Sequence, residues 1–208
     1  IPAAQSPLVA GFSVEAIKYM LGGRFRASFR PLNDAIIQGR IRGVAGIVGC
    51  NNPKQQLDHY INILTKELLK NNVLVLKTGC AAIASAKSGM LTPEAALEHA
   101  GAGLREVCEA IGMPPVLHMG SCVDNSRLLE AATEVVREGG LGDDLSDVPV
   151  VGVAPASEDP TRTSILTSPI RPARARGYRP RMEQEALHPT PLARSAPFSF
   201  SRYSSGRP

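Results

Sequence analysis

The chain repeats one local pattern, a short apolar run followed by a glycine-containing turn and then a segment with helical periodicity. An alternation of strands and helices is typical of a parallel sheet, because each crossover helix returns the chain to the same edge of the sheet. The sequence therefore predicts an α/β fold, with a Rossmann-like parallel sheet and flanking helices. The predicted strands cover residues 41–48, 73–76, 116–119 and 148–153.

Capping residues indicate where the connecting helices begin. Asn52 and Pro53 predict the start of the first helix, because Asn is a preferred cap and proline is favoured at the first helical position. The expected buried stripe of this helix consists of Leu57, Ile61, Leu64 and Leu68. Further helices are expected from the Cys80 region to Lys87, from Thr92, over residues 102–111, and from Asp124 or Asn125 to Glu138.

Three of the four cysteines stand at the end of such a strand. Cys50, Cys80 and Cys122 each follow a predicted strand and a glycine-containing turn. Carboxyl ends of parallel strands line one crevice, so the thiols can converge there, and a helix after each one would favour the metal-binding thiolate. A single cysteine after a buried strand is more often a small core residue. Cys108 shares a helix face with apolar residues and is assigned to the core.

The segments around these cysteines resemble a known enzyme family. The similarity is to anaerobic, nickel–iron–sulfur carbon monoxide dehydrogenases, within the wider hybrid-cluster/prismane superfamily. It is carried by residues 46–54 (GIVGCNNPK), 77–82 (KTGCAA) and 116–127 (VLHMGSCVDNSR). The resemblance runs from about Gly11 to Pro155, and the chain is expected to depart from the family after about Ala156. It implies the first part of that family's C-terminal α/β domain, so the domain is expected to be incomplete.

The resemblance also implies a function and a cofactor. Cys50, Cys80 and Cys122 match the cysteines that bind the family's Ni–Fe–S cluster (nickel, iron and sulfide), where carbon monoxide and water give carbon dioxide. Electrons leave through further 4Fe–4S clusters to a ferredoxin-like acceptor, and the intact family protein is a homodimer. The family's other cluster ligands would lie upstream of Ile1. We therefore expect a fragment of an oxidoreductase of anaerobic carbon metabolism that is inactive alone.

Residues 157–208 differ in composition from the body of the chain, residues 1–156. From residue 160 on, eight Pro, nine Arg and seven Ser occur in 49 residues, and no lysine follows Lys87. The first 159 residues carry 14 basic and 17 acidic side chains, a net of −3, whereas the last 49 carry a net of +7. We expect a tail that is disordered or translated out of frame. The basic charge belongs to this tail and does not indicate nucleic-acid binding.

Two alternatives stay open. A hybrid-cluster protein would share the fold and the dispersed cysteines, although the Cys-Asn-Asn-Pro and Gly-Ser-Cys-Val-Asp-Asn-Ser segments favour the dehydrogenase. The other alternative is a nonfunctional α/β module, truncated at its start and frameshifted at its end. Zinc is disfavoured because tight C-x-x-C pairs are absent from the sequence.

Hydropathy and cysteine usage indicate where in the cell the protein is located. No run of about 18 apolar residues predicts a membrane span, and dispersed cysteines without a secretory signal favour reduced thiols. We expect a soluble, cytoplasmic protein without a membrane partner, whose Ile1 follows a cut or processed start. The sequence contains no G-x-G-x-x-G motif after a strand and no G-x-x-x-x-G-K-[ST] motif, so it does not predict nucleotide binding.

Polar residues near Cys122 have expected supporting roles. Strand alternation favours a buried, hydrogen-bonded His118 over a metal ligand. Asp124, Asn125 and Arg127 are expected to cap and brace the turn that presents Cys122. Helix capping alone is the simpler account of these three residues.

Overall fold

The computed structural model describes residues 8–51 and 56–154, together with the backbone of residues 164–167. Its strands are β1 (Gly43–Ile47), β2 (Val73–Thr78), β3 (Val116–Gly120), β4 (Val150–Ala154) and β5 (Ser164–Thr167). Its helices are α1 (Val14–Gly22), α2 (Arg30–Ile37), α3 (His59–Lys70), α4 (Gly79–Lys87), α5 (Ala95–His99), α6 (Ala102–Ile111) and α7 (Ser126–Glu138). None of the described helices is long and apolar enough to cross a membrane.

The strands form one sheet in the order β3-β2-β1-β4-β5. β1 pairs in parallel with β2 on one side and with β4 on the other, and β2 pairs in parallel with β3. Every residue of β1 and β2 is buried, as expected when helices cover both faces of a parallel sheet. The predicted α/β fold with flanking helices is confirmed, and each of the four predicted strands is present.

The sequence pattern does not predict the fifth strand. β5 pairs antiparallel with β4, with Ser164 opposite Ala154 and Thr167 opposite Val151. It lies inside the segment 157–208 for which composition predicts a disordered tail, and these four residues are the part of that segment that the structure describes. The Arg, Pro and Ser content around a run this short hides its β character. The rest of the predicted tail lies outside the described residues.

Helix α3 begins later than its sequence predicts. It starts at His59, and the predicted cap at residues 52–53 lies outside the described residues. Leu57 is 63% exposed, so its assignment to the buried stripe is wrong. The helix instead buries Ile61, Thr65 and Leu69, whereas Leu64 and Leu68 are partly buried.

Two helices that are not among the predicted elements precede the sheet. The hydroxyl of Ser13 accepts the N–H of Ala16 at 3.1 Å and so caps α1. On α2, the fully buried Asn33 donates to the carbonyl oxygens of Val135 at 3.0 Å and Gly139 at 2.9 Å. These bonds fix α2 against the end of α7, so both new helices belong to the core that supports the sheet.

Candidate metal centre

The three predicted ligands follow three neighbouring strands. Cys50 stands three residues after the end of β1, while Cys80 and Cys122 stand two residues after the ends of β2 and β3. Because the sheet order is β3-β2-β1, the three turns lie side by side at the carboxyl edge of the sheet. All three thiols are exposed, whereas Cys108 is buried in the core as predicted.

The Cys50 thiol interacts with both of the others. Hydrogen bonding to the Cys80 thiol, followed by the charges of Cys80 and Cys122, raises the pKa of the Cys50 thiol. A raised pKa favours the neutral thiol, so a metal ion bound here must displace a proton from Cys50. The helix start predicted directly after Cys50 lies outside the described residues, and the next described helix, α3, begins at His59.

A glycine allows the turns after β2 and β3 to approach each other. Gly79 has a left-handed conformation, with φ at 55°, and a Cβ at this position would stand 2.2 Å from the sulfur of Cys122. Only glycine fits such a contact without displacing the thiol. Gly79 also begins α4, which puts Cys80 in the first turn of that helix.

Asp124 and Arg127 brace the turn that carries Cys122. Asp124 Oδ2 accepts the N–H of Ser121 at 2.7 Å and its hydroxyl at 3.0 Å, and these bonds lower the pKa of Asp124. Arg127 pairs with Asp124 Oδ1 at 3.2 Å and donates to the carbonyl of Met119 at 3.0 Å. The predicted bracing of this turn is thus present, but the carboxylate of Asp124 caps the 3-10 turn Cys122–Asp124 and not α7.

Asn125 and His118 make contacts of a different kind. The hydroxyl of Thr78 donates to Asn125 Oδ1 at 2.5 Å, which ties the end of β2 to the start of α7. No side-chain bond caps α7 at this residue. The Nδ1 of His118 accepts the N–H of Gly120 at 3.2 Å, which agrees with the hydrogen bond predicted for it, but the residue is half-buried and not buried as predicted.

A carboxylate that the sequence pattern does not single out holds the turn after Cys50. Asn51 Nδ2 donates to Asp58 Oδ1 at 2.8 Å, and the N–H of Asp58 donates to Asn51 Oδ1 at 2.8 Å. Asp58 Oδ2 also pairs with Lys87 Nζ at 2.9 Å. Burial opposes the ionisation of Asp58, but the hydrogen bonds from Lys87 and Asn51 outweigh it and lower the pKa of this carboxyl.

A buried lysine lies beneath the site. Lys77 in β2 has no exposed surface, at 0%, and its Nζ donates to Thr65 Oγ1 at 2.5 Å and Ser85 Oγ at 2.6 Å. Burial lowers the pKa of Lys77 to about 7, and the negative charge of Asp58 partly opposes this shift. The sequence signal for this residue was a lysine inside the otherwise apolar run of residues 73–78. Lysine is rarely fully buried, so a lysine at such a position indicates a special environment.

The donor set fits a metal cluster better than a single ion. Thiolates are the ligands that select iron–sulfur clusters and other soft metals. Within the described parts of the chain, no three His, Cys, Asp or Glu side chains are arranged to hold one metal ion. In a [4Fe–4S]-type cluster each cysteine binds a different iron atom, so the ligands of such a cluster need not converge on one point.

Known proteins resemble this chain in sequence. The sequence model of the Prismane/CO dehydrogenase family matches residues 4–167. The chain is 53% identical over 155 residues to carbon monoxide dehydrogenase 1 of Methanosarcina mazei. It is 46% identical over 165 residues to the carbon monoxide dehydrogenase of Rhodospirillum rubrum. These alignments cover 74% of this chain but 24% and 25% of the relatives, so the chain spans about a quarter of their length.

Solved structures resemble it in fold. An as-isolated, Ni-free carbon monoxide dehydrogenase from Thermococcus sp. AM4 matches with a TM-score of 0.65 at 50% identity, over 71% of this chain and 22% of that one. An acetyl-CoA synthase/carbon monoxide dehydrogenase, described with nickel-containing Fe4S4 clusters, matches with a TM-score of 0.67 at 42% identity. The second match covers 72% of this chain and 23% of the other. The family match to residue 167 includes β5, so the expectation that the resemblance ends near Ala156 is wrong.

Proposed function

The chain belongs to the Prismane/CO dehydrogenase family, and from this membership we propose that it supplies Cys50, Cys80 and Cys122 to the Ni–Fe–S cluster of a carbon monoxide dehydrogenase. The observation that carries the proposal is the placement of three exposed thiols after three adjacent parallel strands. A site assembled from separate turns of one sheet edge has its ligands positioned by the strands that precede them.

The residues of this chain have distinct tasks in that site. Cys50, Cys80 and Cys122 bind metal as thiolates, and Cys50 loses its proton on binding. Gly79 lets the Cys122 thiol lie close to Cys80. The bond of Asp124 to the Ser121 N–H keeps the Cys122 turn in one conformation, as partners of metal ligands commonly do.

The cluster and the rest of the protein supply what this chain lacks. When bound, the cluster provides the redox chemistry that converts carbon monoxide and water into carbon dioxide, two protons and two electrons. In the proposed enzyme, a cytoplasmic homodimer, further 4Fe–4S clusters would carry the electrons to a ferredoxin-like acceptor. Because the chain spans about a quarter of the length of its relatives, we expect no turnover from it alone.

The dehydrogenase is favoured over a hybrid-cluster protein by the relatives themselves. Those from Methanosarcina mazei, Methanosarcina acetivorans and Rhodospirillum rubrum are all named carbon monoxide dehydrogenases, at 46% to 54% identity. Identity at this level across three organisms supports a shared cluster type as well as a shared fold.

A chimera tests the proposal. Residues 11–155 of this chain would replace the matching segment of the Methanosarcina mazei enzyme, and carbon monoxide-dependent reduction of a viologen dye would be measured. We expect an active chimera that loses more than about 100-fold in rate when Cys50, Cys80 or Cys122 becomes alanine, because even partners of metal ligands are typically worth 10–100-fold. Cys108→Ala is the matched control and should retain activity. Activity that survives all three cysteine substitutions would contradict the proposal.

A further inference from the structure

Asp58 makes unusual use of its position at the start of a helix. It is the residue before α3, where an aspartate normally accepts an N–H of the first helical turn. No such bond is present at this helix terminus. Asp58 also has a left-handed backbone conformation, with φ at 62°, which is unfavourable for most residues other than glycine. The carboxylate thus forgoes the usual stabilisation of its own helix.

The carboxylate instead joins the turn after Cys50 to the helix of Cys80. On one side, Asn51, the neighbour of Cys50, exchanges two hydrogen bonds of 2.8 Å with Asp58. On the other side, Lys87 at the end of α4 pairs with Asp58 at 2.9 Å. Cys80 lies in the first turn of that same helix. One side chain therefore contacts both elements that carry neighbouring thiols.

The exposure of the Asp58 and Lys87 side chains indicates which of the two contacts of Asp58 is the firmer. The side chain of Asp58 is 12% exposed, whereas that of Lys87 is 55% exposed. An ion pair to an exposed lysine is weakened by solvent. The bond from Asn51 Nδ2 to the Asp58 carboxylate is directional, and it is paired with the bond from the Asp58 main-chain N–H to Asn51 Oδ1, so the two together hold a fixed geometry. The Asn51 contact is therefore expected to dominate the positioning of the Cys50 turn.

From these contacts we infer that Asp58 is a positioning residue for the candidate metal centre, which sets the separation of the Cys50 and Cys80 thiols. This inference rests on the proposed function and adds a residue that the family resemblance does not assign. Asp58 contacts Asn51 and Lys87 directly, and its loss should disturb the Cys50–Cys80 pair while leaving the Cys80–Cys122 pair intact. A residue that merely stabilised the fold would affect both pairs alike.

Binding of a trivalent arsenical can be measured for each of these two thiol pairs independently. Phenylarsine oxide bridges two neighbouring thiols, so its affinity reports their separation without any cluster. In a Cys122→Ala background it reports the Cys50–Cys80 pair, and in a Cys50→Ala background the Cys80–Cys122 pair. The full chain with Asp58→Ala would be titrated in both backgrounds. Glu67→Gln in α3 is the matched control, because the carboxylate of Glu67 makes exposed contacts, a 3.7 Å pair with Lys70 and a 3.2 Å hydrogen bond from Asn71 Nδ2, that lie away from Asn51 and Lys87.

We expect Asp58→Ala to weaken arsenical binding about tenfold in the Cys122→Ala background and less than about twofold in the Cys50→Ala background. Asn51→Ala should reproduce most of the loss, Lys87→Met a smaller part, and Glu67→Gln none. Asp58→Asn should recover part of the affinity, because asparagine tolerates the left-handed conformation and keeps an oxygen acceptor.

The possible failures are distinguishable. Equal weakening in both backgrounds, or no weakening in either, overturns the positioning role of Asp58. If Asp58→Ala loses its fold by circular dichroism, Asn51→Ala and Lys87→Met make the same comparison from the partners' side. If the unsubstituted chain binds neither the arsenical nor iron through its cysteines, the proposed function fails, whatever Asp58 does.

Discussion

Gly79 and Cys122 are in direct contact across the turns of two adjacent strands, with the Cys122 sulfur 2.2 Å from the position that a Gly79 Cβ would occupy. This contact makes the glycine of the Thr-Gly-Cys80 segment part of the site and not merely a turn residue. Its absence of a side chain sets how closely two of the three thiols approach.

Gly79→Ala should displace Cys122 and remove most cluster binding. The new methyl group would overlap the sulfur, and the left-handed φ of 55° would add backbone strain. Bound iron after anaerobic reconstitution measures the effect. Gly89→Ala is the control, because Gly89 has a similar φ of 71° but nothing lies within 4 Å of its Cβ position. Equal iron binding by the two variants would show that the contact is unimportant.

Lys77 should make the free energy of unfolding depend on pH. Its pKa is about 7 in the folded protein, against an ordinary value of 10.5. Below about 7 both states hold the proton, so this group adds no slope. Between the two values the unfolded state binds more protons, and stability rises with pH, by roughly a few kcal/mol in total.

Lys77→Met should abolish this rise and increase stability near pH 7, because methionine is buried without an ammonium charge to desolvate. Urea unfolding at pH 7 and pH 9.5 measures the slope for each protein. Cysteine ionisation contributes equally to both, so the difference between them isolates Lys77. Lys70→Met removes an exposed lysine and should leave the slope unchanged. A Lys77→Met slope equal to that of the unsubstituted chain would contradict the buried, neutralised lysine.

Two glycines of β1 should respond oppositely to alanine. A Cβ on Gly46 would meet Leu128 at 3.5 Å, an ordinary contact, beside an apolar cavity of about 530 Å³. A Cβ on Gly43 would stand 2.3 Å from the carbonyl oxygen of Pro149. We expect Gly46→Ala to stabilise the chain by about 0.5 kcal/mol and Gly43→Ala to destabilise it by about 1–3 kcal/mol. Urea midpoints of the two variants test this, and the same sign for both would contradict the packing described for β1.

The strands and the three cysteines were predictable because their signals are local. Apolar runs bounded by glycine turns predict β1 to β4, and each thiol follows its own strand within three residues. The adjacency of β3, β2 and β1 is a property of the whole sheet. No sequence pattern indicates that order, so the local signals allow the thiols to converge but do not require it.

Other features depend on contacts between distant residues. The contacts of Asp58 with Asn51 and Lys87 join separate turns and helices, and no local pattern around Asp58 indicates them. β5 was missed because its pairing with β4, and not its composition, makes it a strand.

Anaerobic reconstitution with iron, sulfide and nickel tests the central claim most directly. Metal analysis and electron paramagnetic resonance would compare the unsubstituted chain with the Cys50/Cys80/Cys122 triple alanine variant, with Cys108→Ala as the control. We predict that the unsubstituted chain and Cys108→Ala bind iron with a cluster signal and that the triple variant binds none. Equal iron in the triple variant, or none in the unsubstituted chain, would contradict the assignment of these three thiols to a cluster site.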